Sequence, residues 1–241
     1  MANIQLDFND NIFNINLNGK YIGSIEYTIN LYHNKHYYLR LHLQQYDIGV
    51  AKEIFAFISS RLDKPLQIML SSIEKEKVSF IQTAGFCCKR KCYEIEASAQ
   101  EYIGEKIPSA LSYAIKGSAV YEECCNKMLD RYMITHMRIN PWTGTKEDFF
   151  ALLPQVVFYE RDNDGIKNCA FVADHEIAYV YGMVRTAFID FAQRLITELF
   201  TQNETILFEV DDCDEYALEL KNLFAKQLEE SFDTYILERF L

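Results

Sequence analysis

The stretch Ile177-Ala178-Tyr179-Val180-Tyr181 is apolar and aromatic, and it breaks at Gly182-Met183-Val184-Arg185-Thr186-Ala187 into an amphipathic helix that reaches Phe200. A strand, a helix, a buried strand at 206–210, a second helix at 215–224 and a closing strand at 234–238 follow one another without interruption. That order makes an α/β unit. The same order occurs 140 residues earlier. There a strand at 37–43 ends in Gln44-Gln45-Tyr46-Asp47-Ile48-Gly49, and a helix at 50–62, a strand at 66–70, a helix at 73–84 and a strand at 92–96 follow. An internal repeat sets the architecture before any residue is given a role.

Working outward, the first copy is preceded by an antiparallel meander. Residues 12–17 alternate apolar and polar side chains, Asn18-Gly19 makes a tight turn, and residues 21–32 return. Ala51, Ile54, Phe55, Ile58 and Leu62 form one apolar stripe on the helix that follows, and Val184, Phe188, Phe191, Leu195 and Leu199 do the same in the second copy. Residues 99–117 lack a clear period and contain Gly104, Pro108 and Gly117, so they read as a linker. A helix at 120–137 ends before Asn140-Pro141. Thr145 with Asp148 three residues on reads as the cap of another helix at 146–153. Strands at 155–161 and 168–173, joined by Asp162-Asn163-Asp164-Gly165, complete a second meander. The expected organisation is a shortened domain over 1–98, a linker over 99–117 and a fuller domain over 118–241.

Composition supports a packed globule: 49% of the 241 residues are hydrophobic and 14% aromatic. No apolar run approaches the ~20 residues of a bilayer helix, and the first residues lack the layout of a signal peptide. A cytoplasmic location is expected, with no membrane partner. Seven cysteines, odd in number and including the adjacent pairs Cys87-Cys88 and Cys124-Cys125, make a poor disulfide framework. They read as reduced thiols filling core space, and no metal site is expected. His33 and His36 flank a polar turn and read as surface residues.

The charge is unevenly placed. Residues 1–100 carry 11 Lys+Arg against 10 Asp+Glu, whereas the remainder carries 13 against 25. An acidic second half repels phosphate backbones, so nucleic acid is not an expected partner. A cationic or amine-bearing substrate is electrostatically easier there; the charge also serves solubility alone.

The strand-to-helix junctions are where chemistry is expected. A helix N-terminus presents unpaired N–H groups and partial positive charge, which can hold a phosphate. In the first copy Asp47 sets a carboxylate beside the would-be anion. In the second, Arg185 supplies a guanidinium that can grip phosphate oxygens or simply face solvent.

On these elements and loops the chain resembles the GNAT N-acetyltransferases, in a tandem arrangement with a shortened first copy. In that family a Gln/Arg-x-x-Gly-x-Gly/Ala loop holds the coenzyme A pyrophosphate. Gln44–Gly49 matches it except at Asp47, and 182–187 matches only at Ala187. A later family helix carries Asn-x-x-Ala-x-x-x-Tyr-x-x-x-Gly-Phe. Ala84-Gly85-Phe86 fits its end, while Glu74 and Ile81 occupy the Asn and Tyr positions. In the second copy Asp214, Ala217 and Lys221 fall on the corresponding stretch.

The resemblance implies a fold of mixed sheets flanked by helices, acetyl-CoA as acyl donor without a metal, and a small amine or peptide amine as acceptor; a homodimer is an open expectation. It implies Met183, Val184, Arg185, Thr186 and Ala187 as cofactor contacts, Tyr216 or Lys221 as proton donor, and Glu209, Asp211 or Asp212 as base. The residues alone leave other roles open: Glu209 to Asp212 as a solvated strand end, Asp212 or Asp214 as a helix cap, and Tyr216 as a packed aromatic. Trp142, the only tryptophan, either shapes the acceptor pocket or staples its loop. An N-acetyltransferase and a non-catalytic GNAT-like protein that binds coenzyme A or a partner both fit.

Overall fold

Asn18 and Gly19 adopt left-handed φ values of 53° and 77°, which lets two residues fold strand β2 (Ile12–Leu17) back on β3 (Lys20–Thr28). Further strands extend this meander on both sides: β1 (Ile4–Asn9) pairs antiparallel with β2, and β4 (Tyr37–Leu43) pairs with β3. The computed structural model describes residues 3–108 and 111–238. The chain divides into two units. Unit 1 takes Met1–Lys91, Met137–Gly144 and Glu230–Leu241; unit 2 takes Cys92–His136 and Thr145–Glu229.

In unit 1, helix α1 (Ala51–Arg61), strand β5 (Leu66–Ser71) and helix α2 (Lys75–Thr83) follow the meander. The strand order is β1-β2-β3-β4-β5-β12, where β12 is Phe232–Leu237. The core gathers Ala51, Ile54, Phe55 and Ile58 of α1, the stripe expected from sequence, with Phe80 and Ile81 of α2 and Tyr235 and Leu237 of β12. Ile81, at the family's tyrosine position, is fully buried.

Unit 2 begins within β6 (Cys87–Ser98), passes through β7 (Ser112–Ile115), and continues with helices α3 (Ala119–His136) and α4 (Lys146–Leu152). Strands β8 (Val156–Asp162), β9 (Gly165–Ala173) and β10 (Glu176–Gly182) form its meander. Helix α5 (Arg185–Leu199), strand β11 (Thr205–Asp211) and helix α6 (Glu215–Asn222) complete it. The strand order is β6-β11-β10-β9-β8-β7. The capping box at α4 forms as its sequence predicts: the Asp148 N–H donates to Thr145 Oγ1 at 3.1 Å, and the Thr145 N–H donates to the Asp148 carboxylate at 2.9 Å. Phe188, Phe191, Leu195 and Leu199 of α5 are buried, whereas Val184 is an exposed N-cap outside the stripe assigned to it.

The structure departs from expectation in how the copies are closed. Residues Cys92 to Ser98 of β6 run antiparallel to β11 in unit 2, and β12 runs antiparallel to β5 in unit 1. Each copy's last strand therefore serves the other unit, so the units are discontinuous in sequence. Periodicity shows that a segment pairs but not which edge receives it. Residues expected as a linker contain β7, which pairs with β8. Cys124, Cys125 and Cys169 are buried as expected, and burial pushes the Cys125 thiol up to about 12. Cys87, Cys88 and Cys213 are instead exposed. His36 is buried and His33 half-buried, with desolvation lowering the pKa of each, so neither is the surface residue expected.

The strand exchange has a direct test. Tyr235 of β12 is buried in the unit 1 core, and its hydroxyl donates to Asp233 at 3.1 Å. Tyr235→Ala should cost about 3 kcal/mol or more, as truncation of a buried aromatic does. In native-state hydrogen exchange the loss of protection should fall on α1 and β5, with α5 and β11 unaffected. Loss confined to α5 and β11 would contradict the assignment.

Candidate active site

Parallel strands β10 and β11 pair only at Glu176 with Leu207 and at Ile177 with Phe208, after which they part. Just there the register of β10 against β9 shifts between Ile177 and Tyr179. The shift is a β-bulge: one extra residue drops out of the ladder and the side chains beyond it are re-aimed. The buried positions Ile177 and Val180 thus lie three residues apart instead of two. Ala178 and Tyr179, though consecutive, line the same cleft of about 460 Å³, along with Glu176, Glu209, Leu152 and Pro154.

At the other end of β10 the Met183 N–H donates to Lys167 O at 2.9 Å, prolonging the hairpin with β9. Asn168 on β9 is buried, and its amide donates to Glu160 at 2.8 Å and to Ala187 O at 3.4 Å, holding the first turn of α5 against the sheet. Gly182 is needed for close approach. A Cβ there would lie 2.8 Å from the Tyr216 ring and 2.9 Å from Phe188 Cβ. The first helical bond of α5 runs from the Phe188 N–H to Val184 O, and no side chain caps the helix. The N–H groups of Arg185, Thr186 and Ala187 precede that bond, so they have no carbonyl partner within the helix. Beside them Met183 and Val184 expose apolar surface. Such an end suits an anion with an apolar arm.

The Arg185 guanidinium forms an ion pair with Glu219 of α6, a residue that is itself buried. The guanidinium is thus exposed to solvent and paired with a carboxylate at once. Glu209 lies on the exposed face of β11 and lines the cleft. Asp211, two residues on, faces His136 Nε2 at 3.6 Å. Tyr216 is buried, packed 4.9 Å from Phe188, with the Arg131 guanidinium 4.8 Å above its ring. Its contacts are those of a packed aromatic. Lys221 sits in the last turn of α6, where positive charge favours the helix end. Asp214 caps α6, accepting from the Tyr216 N–H at 3.0 Å. Trp142 stacks on Tyr32 at 4.9 Å within unit 1, the contact of a staple.

The equivalent loop of unit 1 is closed on itself. The Asp47 carboxylate accepts from the Gly49 N–H at 2.9 Å, and the N–H groups of Val50 and Ala51 donate to Asp47 O and Ile48 O. Asp47 thus takes up one of the loop amides that precede α1. Strands β4 and β5 also part after Tyr37–Leu66 and Tyr38–Gln67, but β4 keeps an unbroken register with β3. Unit 1 has the parting without the bulge.

Besides Glu219, sequence reasoning missed two further residues of unit 2. Arg131 on α3 donates to Asp214 at 2.8 Å and to Glu215 at 3.1 Å, tying α3 to the start of α6. Nothing local in its helix marks it out. Tyr179 was legible: Ile177 and Val180 break the alternation that a regular strand requires. Burial, and then the charges of Glu209, Glu176 and Asp211, raise the Tyr179 phenol above its ordinary range. Among the described residues no cluster of His, Cys, Asp and Glu is arranged to hold a metal, and no helix is long and apolar enough to cross a membrane.

No family model and no curated protein matches the sequence. Solved structures do match the fold. A GCN5-related N-acetyltransferase from Sphaerobacter thermophilus superposes with a TM-score of 0.56 at 11% identity, over 97% of this chain and 82% of that one. A conserved protein of unknown function from Enterococcus faecalis V583 gives 0.53 at 11%, over 94% and 61%. A GNAT-family acetyltransferase from Colwellia psychrerythraea gives 0.52 at 10%, over 94% and 85%. With its mixed sheets, their flanking helices and the parted parallel strands of each unit, the chain has the fold of the GNAT N-acetyltransferases.

Proposed function

We propose that the chain is an acetyl-CoA-dependent N-acyltransferase in which unit 2 binds the cofactor and carries the reaction, while unit 1 serves as a structural half. The observation that carries this reading is the contrast between the two strand-to-helix junctions. The α5 amides at 185–187 have no helical acceptor and lie beside the exposed Met183 and Val184, whereas the loop before α1 is turned back on itself, with Asp47 accepting from the Gly49 N–H. The cofactor pyrophosphate would accept from the α5 amides and draw Arg185 from Glu219. Met183 and Val184 would cover its pantetheine arm. The backbone N–H of the bulge at Ala178 would donate to the thioester oxygen, stabilising charge that develops during attack. Glu209 would take the proton of the attacking amine. The acidic balance of the second half draws cationic amines toward the cleft. The exposed thiols of Cys87, Cys88 and Cys213 fit a reducing cytoplasm.

Release of coenzyme A from acetyl-CoA, measured across a panel of primary amines, tests the reaction. Turnover with at least one amine is expected. Stoichiometric binding of coenzyme A without turnover would favour a non-catalytic binding protein.

The cofactor contact has its own test. Arg185→Ala should weaken coenzyme A binding by roughly 1.5–3 kcal/mol, the worth of a charge-assisted hydrogen bond. It should also lower stability, because Glu219 loses its partner while buried. Glu219→Gln releases the guanidinium and should tighten binding in calorimetry. Unchanged affinity in both variants would remove Arg185 from the site.

For unit 1, Asp47→Gly should leave turnover within about twofold and the stoichiometry at one coenzyme A per chain. A second binding event in calorimetry would show that the first loop is a live site.

A further inference from the structure

Helix α3 lies on one face of the unit 2 sheet, and α5 and α6 lie on the other. Tyr121 of α3 packs edge-on against Phe171 of β9 at 5.6 Å, whereas the flanking Ala170 and Val172 belong to the core built with α5 and α6. Alternate residues of a strand point to opposite faces, so the sheet stands between these helices. Arg131 of α3 nevertheless reaches the start of α6. Its guanidinium donates to Asp214 at 2.8 Å and to Glu215 at 3.1 Å, and it stands 4.8 Å above the Tyr216 ring. Tyr181, the last residue but one of β10, is within electrostatic reach of both Arg131 and Tyr216. The link therefore passes the end of β10, beyond the point where that strand has left β11.

Tyr216 in turn bears on the start of α5. Its ring lies 2.8 Å from where a Gly182 Cβ would stand and 4.9 Å from Phe188, the residues that bracket the amides of Arg185, Thr186 and Ala187. On the β9 side this junction is tethered by the bonds from Met183 to Lys167 and from Asn168 to Ala187. On the α6 side it is held by packing against Tyr216, and that packing is as firm as the hold on α6.

We propose that Arg131 is a positioning residue for the α5 amides: it pins Tyr216 over Gly182 and so fixes where the N–H groups of Arg185, Thr186 and Ala187 stand. The assignment rests on the reading above, in which those amides hold coenzyme A. Arginine suits the task because its planar fork meets two carboxylates at once while its face stacks on a ring. A lysine ammonium is a point charge and does not do all three. Helix α6 itself does not depend on the link, since Asp214 caps it by accepting from the Tyr216 N–H at 3.0 Å. Without Arg131 the helix forms, but its start can shift against β10, and the amides shift with it. A set of donors loses affinity when its geometry is no longer held before the ligand arrives.

Calorimetric titration with coenzyme A tests the assignment. Arg131→Met keeps an unbranched apolar stem and should raise the Kd about tenfold, within what a small misplacement costs, with one site per folded chain. Arg131→Lys should recover only part of that loss. In the ligand-free protein, Arg131→Met should also move the backbone amide resonances of Met183, Arg185, Thr186 and Ala187. Equal Kd for parent and Arg131→Met would overturn the assignment while leaving the cofactor reading intact. A fall only in the fraction of chain that binds, at unchanged Kd, would make Arg131 merely structural and also overturn it. Full recovery by lysine would show that the charge acts from a distance without positioning anything, with the same consequence. No saturable binding of coenzyme A by the unaltered chain would overturn the cofactor reading, and this assignment with it.

Discussion

The parting of β10 from β11 is the constraint on which the rest of unit 2 depends. Parallel strands normally satisfy each other's backbone groups along their length. Here the ladder ends after Ile177 and Phe208, and the polar groups beyond must find other partners or meet a ligand. The bulge adds a second break on the β9 side and turns Ala178 and Tyr179 toward the opening. The hairpin bond from Met183 to Lys167 and the Asn168 contact to Ala187 then fix where α5 begins. One interruption in hydrogen bonding thus sets both the cleft and the start of α5.

The two units show what happens to such a junction under different local chemistry. In unit 1 Asp47 supplies, within the loop itself, the oxygen that a phosphate would otherwise bring, and the amides of Gly49, Val50 and Ala51 are all engaged. In unit 2 no side chain caps α5, and the nearby carboxylate, Glu219, holds the guanidinium instead of the amides. In unit 1 a carboxylate turns the loop back on itself through the Gly49 amide; in unit 2 the carboxylate is on the arginine and not on the loop. Under the proposed function, Glu219 also sets a cost, since an anion would compete with a buried partner for Arg185.

The elements of the fold were readable because their periods are clean. The stripe of Ala51, Ile54, Phe55 and Ile58 is buried as a stripe, and Thr145 with Asp148 caps α4 as written. The exchange of β6 and β12 was not readable, because each segment carries only the information that it is a buried strand; the choice of edge is made by tertiary packing. Within the site, Glu209 was found as a strand-end carboxylate, and the 182–187 loop as a helix start. Arg131 and Glu219 were missed because their partners lie far away in sequence, at 214–215 and at 185. Tyr179 was missed for a different reason: the three-residue step from Ile177 to Val180 announces a bulge only when the strand is not assumed to be regular.

The most direct measurement of the central claim is a titration of the isotopically labelled chain with coenzyme A, followed through backbone amide resonances. The account predicts that Arg185, Thr186 and Ala187 shift and saturate together, while Gly49, Val50 and Ala51 stay in place. Shifts confined to Gly49, Val50 and Ala51, or no saturable shift at either junction, would contradict it.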